Sequence, residues 1–166
     1  MNSISNLKEK VVVVTGGAGL LGKEFVKSIC QNNGIVVIAD IDADAAAVAC
    51  NEISSMGFQG KVDFIQVDIT AKDSISAAIE KLVDKYGKVD ALINNAYPRN
   101  KNYGRDFFDV EYDDFCQNIN LNVGGNFLIS QLFSKLFVEQ NRGNIINIAS
   151  IYGVIAPRFD VYDDVT

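Results

Sequence analysis

The chain has 166 residues, 48% of them hydrophobic and 22% charged, with a net charge of −6 and no histidine. That length makes one domain able to bury a core without staples. The acidic balance excludes the basic footprint of a nucleic-acid binder, and no apolar run reaches membrane-spanning length. The absence of histidine removes Ser-His-Asp and Cys-His catalysis and the commonest transition-metal ligand. No metal site is therefore expected, and acid–base work falls to Tyr, Lys, Asp, Glu or a relay of hydroxyls and water. The lead-in MNSISNLKEK has no hydrophobic signal core. Cys30, Cys50 and Cys116 are widely spaced without a C-x-x-C pair, which predicts reduced, mostly buried thiols in a cytoplasmic protein.

Taken in chain order, strands and helices alternate. Val11–Thr15 is a β-branched run that reads as a buried strand. It is delivered into Gly16, Gly19 and Gly22, spaced G-x-x-G-x-x-G ahead of a helical pattern carrying Phe25, Val26 and Ile29. Asn32-Asn33-Gly34 supplies a left-handed stop, and Ile35–Asp40 forms the second strand. Asp42 is placed to cap an alanine-rich helix reaching Met56, closed by Gly57. Val62–Val67 is the third strand, and Thr70 is expected to cap a helix with Ile75, Ile79, Leu82 and Val83 on one face. Gly87 ends that helix and Val89–Asn94 is the fourth strand. A polar loop from Tyr97 to Val110 leads to a single long helix over Tyr112 to Glu139, and Asn144–Ala149 is the fifth strand. Apolar, non-alternating strands belong in a parallel sheet covered on both faces. Right-handed crossovers then give one doubly wound α/β domain over residues 1–166, three layers deep, with strand order 3-2-1-4-5.

The glycine turn is the first functional signal. The first glycine permits a tight turn, the second lets backbone approach a pyrophosphate, and the third lets the helix lie close. A helix N-terminus there offers N–H groups and partial positive charge to a diphosphate. Asp40 ends the second strand 18 residues after Gly22, where a carboxylate accepts from both ribose hydroxyls and repels a 2′-phosphate. No Arg or Lys lies among Gly17, Ala18, Ile41, Asp42 and Ala43, so NAD is expected as cofactor rather than NADP.

These motifs together resemble the short-chain dehydrogenase/reductase family, and the resemblance covers nearly the whole chain. Asp68-Ile69 is similar to the family's adenine-contacting pair, and Asn94-Asn95-Ala96 to its NNAG signature. Asn122-Val123-Gly124-Gly125-Asn126-Phe127 is similar to N-[VL]-x-G-x-F, whose asparagine belongs to a proton relay. Gly143–Ser150 is similar to the strand that delivers the catalytic serine. The resemblance implies a Rossmann-like fold and a nicotinamide-dependent oxidoreductase acting on an alcohol or carbonyl of a small molecule, with a homo-oligomer as partner. It places catalytic roles on Asn122 and Ser150. It places cofactor contacts on Thr15, Gly16, Gly19, Leu20, Leu21, Gly22, Asp40, Ile41, Asp68, Ile69, Asn95 and Ala96.

Three departures qualify the resemblance. Tyr97 stands where NNAG has glycine, so the backbone beside the nicotinamide is expected to run differently. The T-G-x-x-G-x-x-G spacing looks more like the extended, sugar-nucleotide-modifying branch, which leaves that activity as an alternative. The family's Tyr-x-x-x-Lys is absent, since Tyr152 is followed by Ala156 and Tyr162 by Thr166 at the lysine position. Tyr162 lies near the expected distance from Ser150, but Asp163 and Asp164 beside it oppose an anionic phenolate. The chain is therefore expected to be the cofactor half of a longer enzyme, inactive by itself, with apolar surface exposed around Phe127, Leu128 and Phe133. A non-catalytic nucleotide-binding module is the other alternative. A faint likeness of Ile148–Tyr162 to enzymes of bacterial surface-sugar synthesis raises a sugar derivative as substrate without assigning it.

Overall fold

Alternate residues of the central strand point into two different cores, which is why its sequence is apolar from Val11 to Val14. In a computed structural model that describes residues 7–156, β1 (Val11–Thr15) is buried throughout. Val13 joins one core with Ile75, Leu82, Leu92, Ile129 and Phe133. Val12 and Val14 join the other with Val26, Val36, Ile38, Ala49 and Ile53. The first core lies under α3 (Lys72–Tyr86) and α5 (Gly125–Glu139), and the second under α1 (Leu20–Gln31) and α2 (Ala43–Ser54). With β2 (Ile35–Asp40), β3 (Lys61–Gln66), β4 (Ala91–Asn94) and β5 (Ile145–Asn147), the strands form one sheet in the order β3-β2-β1-β4-β5. Every pairing is parallel, with Val13 opposite Val37 on one side and Leu92 on the other. This is the expected doubly wound architecture.

Local signals explain the ends of the elements. Asn33 turns left-handed at φ 67° after α1, and the Gly34 N–H reaches back to the Ile29 carbonyl. Asp42 caps α2 by accepting from the Ala45 N–H at 2.9 Å. Gly87 ends α3 in the left-handed region at φ 72°. Thr70 does not cap α3: that helix begins at Ala71 without a side-chain cap, and Thr70 instead donates its N–H and hydroxyl to Asp68. At the opposite end of the sheet, Asp90 accepts from the Val11 N–H at 2.9 Å and pairs with Lys10 and Lys88. Burial raises the Asp90 carboxyl pKa, but these donors together outweigh it and hold the group below the usual carboxylate value.

Three further expectations are corrected. The helix from Tyr112 to Glu139 is interrupted: α4 (Tyr112–Ile119) passes through a π-helical turn at Asn120–Gly124 before α5 begins. Phe133 is buried at 2% exposure, and the exposed large hydrophobic residues over Tyr112–Glu139 are Tyr112, Phe115, Ile119, Val123, Phe127 and Val138. Of these, Phe115, Ile119, Val123 and Phe127 recur every four residues and share one face. Of the cysteines only Cys30 is fully buried, where desolvation pushes its thiol up to about 11, while Cys116 is exposed.

Candidate nucleotide-binding site

The glycine turn sits at the C-terminal end of β1, and its three glycines do three different things. Gly16 has φ +60°, and a Cβ there would stand 2.9 Å from the Ala96 Cα, so the turn needs glycine for both conformation and space. Gly22 lies on α1 with its Cα facing the turn, where a Cβ would meet the Gly16 carbonyl oxygen at 2.2 Å. Gly19 precedes α1, which starts with no side-chain cap and no acidic residue in its first turn. Its leading N–H groups are therefore available to an anion. A cradle this tight fits a diphosphate.

The turn is held against β4 by two side chains. Thr15 is wholly buried, and its hydroxyl donates to the Ile93 carbonyl while accepting from the Asn95 and Ala96 N–H groups at 3.0 Å each. The Asn95 side-chain amide donates to the carbonyls of Thr15 and Gly16. Thr15 therefore does not face the cleft as expected of a cofactor contact. It is a positioning residue, because a β-strand alternates its side chains and this one points into the sheet.

Beyond the turn, a cleft of about 190 Å3 is lined by Gly16, Asp40, Ile41, Asp68, Ile69 and Ala96, residues singled out from the sequence. Asp40 accepts from the Ala18 N–H and from the Asp42 N–H, each at 3.2 Å, so its carboxylate braces the glycine turn as well as the cleft. Asp68 spends one oxygen on Thr70. Ile69 is nearly buried and packs against Gly125, where a Cβ would stand 3.0 Å from the Ile69 Cδ1. Leu20 and Leu21 are not among the residues lining this cleft and are largely exposed at the start of α1. Tyr97, noted from the sequence only as a departure from NNAG, and Pro98, not singled out there, also line the cleft directly after Ala96.

Asn122 and Ser150 stand apart from that cleft. Asn122 lies within the π-helical turn, its backbone carbonyl taken by the Asn126 side-chain amide at 2.8 Å and its own Nδ2 buried without a partner among the described residues. Ser150 follows β5, is exposed, and accepts from the Tyr152 N–H at 3.2 Å. Asn94 links the two strands by donating to Asn147 and to Ser130. Tyr162 lies outside the described residues. Among the described residues no group of three or more His, Cys, Asp or Glu is placed to hold a metal ion. No described helix is long and apolar enough to cross a membrane.

Residues 10–163 match the model of the short chain dehydrogenase family. The chain belongs to that family. It is 38% identical over 161 residues to post-translational flagellin modification protein A of Campylobacter coli, covering 96% of this chain and 62% of that protein. It is 34% identical over 145 residues to the 7alpha-hydroxysteroid dehydrogenase of Escherichia coli K12, covering 87% of this chain and 54% of the enzyme. Among solved structures it resembles NAD+-bound xylitol dehydrogenase with a TM-score of 0.81 and 26% identity, over 91% of this chain and 56% of that one. The chain thus spans between 54% and 62% of the length of these two curated relatives. The described residues hold the glycine turn, the cleft beside it, and Ser150 three residues after β5.

Proposed function

We propose that this short-chain dehydrogenase is an NAD-dependent oxidoreductase acting on an alcohol or carbonyl group of a small molecule. The observation that carries the cofactor choice is Asp40. Its carboxylate lines the cleft at the end of β2, and no lysine or arginine is among the cleft's lining residues. A ribose diol donates to such a carboxylate, whereas a 2′-phosphate meets unopposed repulsion. The NAD+-bound xylitol dehydrogenase supports the same choice. NAD, when bound, supplies the acceptor or donor of a hydride. The chain's own contribution is to seat a diphosphate at α1 through Gly16, Gly19 and Gly22, and to hold the adenosine end beside Asp40, Ile41, Asp68 and Ile69. In this reading Ser150 supplies the hydroxyl that bonds a substrate oxygen, and Asn122 supports the relay from within its π-helical turn, a feature common at functional sites.

No Tyr-x-x-x-Lys follows Ser150 within residues 1–166, the Tyr97 and Lys101 pair lying well ahead of it after β4, so a polypeptide of these residues alone binds nucleotide without turnover. The apolar stripe Phe115, Ile119, Val123 and Phe127 supports self-association, and the three free cysteines support a reducing, cytoplasmic setting. Calorimetry tests the cofactor reading. NAD binds more tightly than NADP, and Asp40→Ala narrows the gap; tighter NADP binding by the unmodified protein overturns it.

A further inference from the structure

We infer that Tyr97 is a nucleotide-binding residue whose ring forms an aromatic wall for the purine nucleoside of the cofactor, in a place where the family signature has glycine. The inference rests on the NAD reading above and deepens it. Tyr97 lines the cleft that also contains Asp40, Ile41, Asp68 and Ile69, the adenosine end of that reading, rather than standing beside the nicotinamide. Its backbone is ordinary: among the described non-glycine residues, positive φ occurs only at Glu9, Asn33 and Asn141. A side chain is thus accommodated at this position without strain.

The ring is also held in place. Its hydroxyl shares a 2.7 Å hydrogen bond with the Tyr103 hydroxyl, and the two rings meet edge to face at 5.8 Å. The Arg99 guanidinium lies 5.5 Å from the Tyr103 ring centroid. The loop is tied to α4 through Asn100, which receives from Asn118 and donates to Asp114, as Asn102 does. Tyr97 nevertheless remains 58% exposed. The hydroxyl pairing, with partial burial, pushes the Tyr97 phenol up to about 12, so it stays neutral. What the residue offers the cleft is therefore an uncharged π face beside the apolar Ile41, Val67 and Ile69. That combination suits a flat purine, since base–aromatic stacking is strong and needs no hydrogen-bond readout.

The test is calorimetric titration of the purified protein with AMP and with nicotinamide mononucleotide. Tyr97→Phe keeps the ring and retains AMP binding. Tyr97→Gly and Tyr97→Leu weaken it by about fivefold or more, with no change toward nicotinamide mononucleotide. Because the chain has no tryptophan, Tyr97→Trp introduces its sole indole, whose emission changes with AMP and not with nicotinamide mononucleotide. That variant decides the matter should Tyr97→Gly fold poorly. Wild-type AMP affinity in a folded Tyr97→Gly protein, or indole emission indifferent to saturating AMP, overturns the inference and leaves the NAD reading intact. A wild-type protein that binds neither AMP nor NAD overturns both.

Discussion

The two sides of the sheet around β1 and β4 are finished to different degrees. On the β1 side every strand residue is buried, and the turn is locked by the Thr15 hydroxyl, the Asn95 amide and the backbone contact between Gly16 and Ala96. On the β5 side Ile146 and Ile148 are 43% and 40% exposed, and Ser150 stands in the open with its hydroxyl oxygen bonded only to its own turn. Within the described residues β5 pairs with β4 alone. The difference teaches that the nucleotide cleft is braced by contacts among these residues themselves, while the serine end is not.

The comparison breaks first where the bracing is tightest. Gly22→Ala forces a Cβ against the Gly16 carbonyl oxygen at 2.2 Å, and overpacking of this kind costs about 1–3 kcal/mol. The turn must move, so NAD affinity falls by at least about tenfold, a loss of the same order, read by calorimetry alongside a thermal melt. Unchanged affinity with an unchanged melt would show that the turn is slack.

Thr15→Val comes next. It preserves shape but leaves the buried N–H groups of Asn95 and Ala96 without the oxygen they share, at a cost of about 1–3 kcal/mol. The melting temperature is expected to drop by several degrees, about 2–4 °C per kcal/mol for a chain this size, with a smaller loss of NAD affinity. A melt identical to wild type removes Thr15 from the bracing.

Acid sharpens the comparison from the far end of the sheet. The Asp90 carboxyl is held below its unfolded value near 3.9 by the Val11 N–H and by Lys88 and Lys10, which outweigh the opposing effect of burial. Because the folded pKa is the lower one, the unfolded chain takes up its proton first. This stabilisation is full above the unfolded pKa and is lost as pH falls through the folded one. Denaturant midpoints measured from pH 6 down to pH 3 should decline below about pH 5, and less steeply in Asp90→Asn. Equal slopes in the two proteins exclude Asp90 as the cause.

The smallest effect belongs to the serine end. Ser150→Ala removes one hydrogen bond from an exposed turn, so stability should change by less than about 0.5 kcal/mol and NAD affinity not at all. A loss of NAD binding in this variant would mean that the two sides are coupled.

Much of this was legible in the chain itself. Strand order, the caps at Asp42 and Gly87, the glycine turn and Asp40 follow from periodicity, turn chemistry and motif spacing, while Ile41, Asp68, Ile69 and Ala96 came from the family resemblance. These are properties of neighbouring residues, and a linear pattern carries them. The tertiary structure decided what depends on distant segments meeting. It turned Thr15 inward onto β4, sent Thr70 to Asp68 instead of the helix it precedes, and buried Phe133 while exposing Phe115 and Val123. It also placed Tyr97 in one cleft with Asp40 and Asp68, though the residue follows a strand separate from β2 and β3. A side chain's direction at a strand end or across a π-helical turn depends on which backbone packs beside it, and no local pattern encodes that neighbour.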